Sequence, residues 1–245
     1  KSGEFVTNTG TKKRRFRHVE SKITAKGARA IFYRQFLEYK KEKYFIFTKM
    51  TVLSAVVAFI FAYSLQKSVS DSSMAGFILL GVVAYVALIM SGYTGKWESE
   101  LKNPYIFLIP DSPLKKMWYA TLMEHVKAFA DGCIICIPIG IFWHVPVIEI
   151  IYCILIYTVL QADRLYTMVI VQSLLGEVFG KTGQSLLRMF IQMALLGVGA
   201  GVGVLAAVLI SQTLIFPIVL IYGLMITVAM GAIALLRFDT MEQFV

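Results

Sequence analysis

Residues Glu100–Lys116 read ELKNPYIFLIPDSPLKK, with three prolines, two acids and three lysines between two strongly apolar stretches. Pro104, Pro110 and Pro113 forbid one continuous helix through it, because proline lacks the amide proton a helix interior needs and its ring crowds the preceding turn. Upstream, Trp97–Lys102 (WESELK) reads as a short helix that ends before Asn103-Pro104, since the residue before a proline avoids the α region. Asp111-Ser112-Pro113 reads as a helix start: Ser112 is a capping side chain and Pro113 suits the first helical position. The segment is therefore an elbow of short helix, rigid turn and long helix. Little of it can flex, so it is suited to passing on a displacement received from a partner.

Apolar residues make up 58% of the 245-residue chain and charged ones 16%, against about 45–50% and about 25% in soluble domains. Six apolar stretches, near 45–65, 75–93, 117–143, 148–175, 186–210 and 214–236, each approach or exceed the about 20 residues that a bilayer-crossing helix needs. The fold class is an all-α integral membrane protein with six transmembrane helices over 45–237 and a cytosolic loop at 94–116. An amphipathic helix over 28–44 precedes them. A basic tail or linker occupies 1–27, and a short tail occupies 238–245.

The net charge is +9, yet no basic soluble domain exists to hold nucleic acid. The cations flank apolar stretches instead. Lys40, Lys41, Lys43 and Lys49 sit at the first; Lys96, Lys102, Lys115 and Lys116 lie between the second and third. Lys181 and Arg188 follow the fourth, and Arg237 closes the sixth, while the opposite loops hold only Lys67. The positive-inside rule then puts both termini in the cytosol. The opening residues carry no apolar signal-type run, and KKRRFRH (Lys12–His18) reads as a tail near anionic lipid.

Within 28–44, Phe32, Phe36 and Tyr39 share one face at 100° per residue, widened by Tyr33, Leu37 and Tyr44. Arg34, Gln35, Glu38, Lys41 and Glu42 take the other side, and Ile31 violates the pattern. Aromatic rings on one side and charges on the other suit a helix lying in the membrane interface. Cys133, Cys136 and Cys153 lie in apolar runs and read as small buried hydrophobes, not as a redox pair or metal site. GVGAGVGV (Gly197–Val204) lacks the strand, helix and distant acid of a dinucleotide loop. Gly197 with Gly201, and Gly199 with Gly203, make two small-xxx-small pairs that let helices approach.

Charges inside apolar spans are costly and face partners or water. Glu124, Lys127 and Asp131 lie in the third stretch, and Asp163 and Arg164 in the fourth. If these are antiparallel neighbours, residues at equal depth have numbers summing to about 291. That expectation pairs Asp163 with Lys127, and Arg164 with Asp131 or Glu124.

The tandem of GARAIFYRQFLEYKKEKYF (Gly27–Phe45), two apolar stretches, then SELKNPYIFLIPDSPLKKMWYA (Ser99–Ala120) resembles the ABC exporter permeases of Firmicutes-type bacteria, relatives of the ABC-2 permease class. The resemblance spans roughly residues 20–240. It implies a bacterial plasma-membrane protein whose first cytosolic loop carries a coupling helix docking on a separate ABC ATPase subunit. The matching positions are Trp97, Glu98, Glu100, Leu101 and Lys102, with Asn103 and Pro104 opening the turn behind them. The Ala28–Tyr44 segment corresponds to a connecting helix beside that ATPase. Family members often hold two such halves, so the resemblance implies that the chain is one half, the C-terminal one, or a fragment, with a second permease half or copy as partner. No GxxxxGK[ST] sequence is present, so ATP and Mg are implied to belong to the partner, with no cofactor on this chain.

Two other classes stay open at this point. A membrane enzyme would need paired acids or a Glu/His set on facing helices, and Glu124, His125, Asp131 and Asp163 are few and entangled with Lys127 and Arg164. A non-transporting assembly subunit would need no ATPase, so changes at Glu98 or Glu100 would spare its function.

Overall fold

The computed structural model describes residues 25–41, 45, 47, 49–66, 72–92, 96–101, 104–175, 180–209, 211 and 214–243. Among these the chain is helical, without strands: α1 (Arg29–Lys41), α2 (Lys49–Leu65), α3 (Ser72–Ser91), α4 (Lys96–Leu101), a 3₁₀ turn (Pro104–Ile106), α5 (Pro113–Phe142), α6 (Val147–Leu175), α7 (Gly180–Leu209) and α8 (Ile215–Gln243). Among the described residues each apolar stretch is helical over most of its length. Five of them, α3, α5, α6, α7 and α8, are long and apolar enough to cross a bilayer; α2 is apolar throughout but has 17 residues. The basic tail lies outside the described residues up to position 24, as do positions 42–44 of the expected amphipathic helix.

α6 is the hub, packed against α3, α5, α7 and α8. It is joined to α5 by only four residues, Trp143–Pro146. The Trp143 amide donates to the Ile139 carbonyl at 3.0 Å, and the Val145 amide reaches back to Gly140 at 2.9 Å. His144 between them holds a φ of 55°. Glycine usually takes this left-handed position at a helix end, and histidine is among the few other residues enriched there. Gly140 also lets α6 come close: a Cβ there would sit 2.5 Å from Ile150 Cδ1. Pro146 then opens α6, its carbonyl accepting from the Glu149 and Ile150 amides.

The apolar core divides in two. Near the α5–α6 turn, Leu79, Val83, Ile135, Ile139, Ile150 and Phe216 pack together, with Cys136 and Cys153 among the buried members. All three cysteines are free thiols. Toward the elbow, Trp97, Leu101, Phe107, Met117, Leu165 and Phe238 form the second core. Buried polar side chains of α5, α6 and α7, including Glu124, Asp131, Gln161, Arg164 and Gln192, lie between the two.

The four glycines of the Gly197–Gly203 run in α7 divide likewise. A Cβ on Gly199 would lie 3.0 Å from Tyr222, and one on Gly203 would lie 3.3 Å from Val219, both on α8. Gly197 and Gly201 have nothing within 4 Å of such an atom. Gly199→Ala is therefore expected to part α7 from α8 and lower the melting temperature. Gly201→Ala should be neutral or gain up to about 1 kcal/mol, because alanine outranks glycine inside a helix. Thermal unfolding of the two variants in one detergent compares them directly.

Candidate functional site

α4 ends before Asn103-Pro104, and its Trp97, Glu98, Glu100 and Leu101 side chains turn inward. Trp97 is fully buried; its indole N–H donates to the Leu165 carbonyl at 3.3 Å. The Trp97 ring stacks on Phe238 at 6.4 Å, and Phe107 covers the same phenyl at 5.1 Å. Glu98 faces Arg188 of α7 at 3.7 Å, and Glu100 receives the guanidinium of Arg34 from α1. Leu101 is buried beside them. One six-residue helix is thus tied to α1, α6, α7 and α8. Lys102 and Asn103 lie outside the described residues, and Pro104 opens the 3₁₀ turn.

Beyond that turn the chain folds back on α5. Lys116 is buried and donates from Nζ to the Phe107 carbonyl at 3.1 Å. Ser112 stands at the cap position before Pro113, but its hydroxyl makes no capping bond. Asp111 supplies the local anchor: its carboxylate accepts from the Ser112 amide at 3.0 Å and from the Ala28 amide at 3.2 Å. Outward, the elbow shows Tyr105, Leu108, Leu114 and Trp118, each more than half exposed.

α1 lies along the first turns of α5. Gln35 donates to the Ala120 carbonyl at 2.9 Å, Tyr39 to Glu124 at 3.3 Å, and Arg29 to the Tyr119 hydroxyl at 3.2 Å. The buried stripe is Ile31, Gln35 and Tyr39. This corrects the face assignment made from the sequence. Ile31 is no violation, and Gln35 does not belong to a solvated side. Phe32 and Phe36 are half-buried and stacked at 6.3 Å, while Lys41 is exposed. A helical period reveals that faces differ, not which neighbour each face meets. Here the neighbour is the polar start of α5, so hydrogen-bonding side chains are the ones buried.

Gly27 permits the entry to α1. It holds a φ of +63°, and a Cβ would come within 2.9 Å of Asp111 Oδ2. The amides of Ala28 and Ser112 hold the Asp111 carboxyl below its usual range. A group lowered in the folded state contributes while ionised, and that contribution fades as pH falls from about 3.9 through the folded value. Protection of the amides of Ala28–Ile31 against hydrogen exchange, relative to the free-peptide rate at each pH, is expected to fall across that acid window in the wild type. In Asp111→Asn it should already be low at neutral pH.

The buried charges of α5 and α6 sort onto two faces. Lys127 pairs with Asp131 at 3.8 Å along α5, and Thr51 of α2 hydrogen-bonds Asp131. Arg164 donates to the Met90 carbonyl at 3.1 Å and lies within electrostatic reach of Asp131. Glu124, Lys127, Asp131 and Arg164 line one small polar cavity of about 20 Å³, beside Tyr157 and Gln161. The expected Asp163–Lys127 pair does not form. Asp163 turns to the opposite side, toward α7 and α8. The depth argument fixed height only; successive residues on a helix point about 100° apart, so Asp163 and Arg164 cannot both face α5. The sequence reading also passed over Arg188 as a partner for Glu98, since nothing in either segment ties α4 to α7.

A family model described as "Putative ABC exporter" matches residues 1–242. Neither a curated protein nor a solved structure matches the chain.

Proposed function

This chain belongs to that ABC exporter family, and on that premise we propose that it is a membrane permease subunit, or half of one. It couples ATP hydrolysis on a separate ATPase subunit to export of an amphipathic or apolar cargo. In this reading the elbow and both termini face the cytosol of a bacterial cell, α1 lies at the interface, and α2 makes a sixth, short crossing. ATP and Mg belong to the ATPase. The exposed apolar faces of α7 and α8 meet lipid and a second permease half or copy.

The observation that supports it is the elbow's two-sidedness. Tyr105, Leu108, Leu114 and Trp118 form an exposed apolar surface, and directly inside it Trp97, Glu98, Glu100 and Leu101 grip four helices. The outer residues are assigned contact with the ATPase. The inner ones, with Lys102, Asn103 and Pro104 in the connection, are assigned transmission. A push on the outer face would meet packed side chains and polar bonds, not a soft loop.

Leu108→Glu tests this on the surface, away from the core. It is expected to weaken ATPase association about tenfold, equivalent to about 1.4 kcal/mol, with yield and melting temperature unchanged. Pull-down of the ATPase and its permease-stimulated hydrolysis are the readouts. Unchanged association and hydrolysis would place the contact elsewhere and remove the elbow's role.

A further inference from the structure

Between α3, α6, α7 and α8 lies a cavity of about 410 Å³, within the range of small-molecule sites. Its walls are apolar side chains and bare glycine backbone, with two exceptions, Asp163 of α6 and Tyr222 of α8. The Tyr222 hydroxyl is satisfied, donating to the Leu195 carbonyl at 3.1 Å. Asp163 is 1% exposed, and its Oδ1 has no hydrogen-bond partner. The Thr227 hydroxyl is within hydrogen-bonding reach of the Asp163 carboxylate. That hydroxyl also donates to the Gly223 carbonyl at 2.9 Å, so it offers at most a shared proton and no charge. Among the described residues no lysine or arginine lines the cavity.

Other buried carboxylates are treated differently. Glu98 has Arg188, Glu100 has Arg34, and Asp131 has Lys127. Glu124 accepts from the Tyr39 hydroxyl and the Lys96 amide in a polar setting that includes Lys127. Asp163 alone of these five looks into an apolar space with no cation supplied, although a lone carboxylate there is costly. We propose that the cavity binds an amphipathic amine, whose alkyl chain fills the apolar volume while its ammonium group sits against the Asp163 carboxylate. Charge selects among amphipaths of one length. A fatty acid would set two carboxylates together, and an alcohol would leave Asp163 without a counter-ion. If the exporter reading holds, such amines are the class of cargo. Binding itself does not depend on ATPase coupling, so the two fail separately.

The full chain in nanodiscs of zwitterionic lipid is titrated with dodecylamine, dodecanol and dodecanoate at equal mole fractions in the lipid. Native mass spectrometry reads occupancy, and thermal shift reads stabilisation. Dodecylamine is expected to bind at least about tenfold tighter than dodecanol, with dodecanoate weaker still. Asp163→Asn should bring the amine down to the alcohol. Gly81→Leu should exclude all three ligands, because Gly81 lines the cavity and an added Cβ has room, meeting nothing within 4 Å. Amine binding that is no better than alcohol binding overturns the proposal. So does amine binding that survives Asp163→Asn, or Gly81→Leu. Should Asp163→Asn fail to fold, the alcohol comparison and Gly81→Leu decide.

Discussion

Trp97→Ala is expected to cost about 3–5 kcal/mol of stability, as removal of a large buried aromatic does when the surroundings cannot close over the space. Trp97 heads the fully buried side chains by size. Its ring is held by Phe238, and its N–H by a backbone carbonyl of the hub helix. The site has little freedom to collapse, since Phe107, Leu101, Met117 and Leu165 are themselves anchored in the same core. Trp97→Phe separates the contributions. It keeps a stacking ring and loses the donor, so the Leu165 carbonyl gives up only a second bond, at about 1 kcal/mol. Equilibrium unfolding in mixed micelles measures both. Equal losses for the two variants would mean that the hydrogen bond, not packing, holds α4 in place.

Arg188→Ala should cost nearly as much, about 3–5 kcal/mol, because it takes one member out of the buried Arg188–Glu98 pair. Arg188 is 2% exposed and also donates to the Gln184 carbonyl at 3.3 Å, so its removal loosens α7 as well as α4. The informative variant is the double change Glu98→Gln with Arg188→Gln. Removing both charges removes the desolvation problem together with the attraction, and most of the lost stability should return. Were the double variant no better than Arg188→Ala, the pair would not be an energetic unit.

Much of the architecture is legible in the sequence because lipid imposes a simple demand. Every backbone polar group must be satisfied within the span, so long apolar runs have one outcome. α5 and α6 begin within four residues of the expected positions for that reason. The prolines of the elbow speak as plainly, since each removes a donor wherever it stands. Orientation about a helix axis is another matter. Ile31 and Gln35 were misread because α1 rests on a polar neighbour. Asp163 was paired by height when azimuth decided. Gly197 and Gly199 look alike in a row of glycines, yet only Gly199 touches α8. Each miss concerns what a face meets, which depends on segments far away in the chain. Ser112 fails differently: a capping residue stands in place, but Asp111 next to it takes the local amide.

A ribosome delivers α5 and α6 almost together, because four residues separate them. They can leave the insertion machinery as a hairpin, and most of its charges are cared for on arrival. Lys127 and Asp131 neutralise one another within α5, and Arg164 finds a carbonyl on α3, which is already made. Asp163 is the exception. The wall it faces is completed by α7 and α8, which follow α6 in the chain. Biogenesis therefore has one exposed interval, opening when α6 enters the bilayer and ending only when α8 closes over that carboxylate.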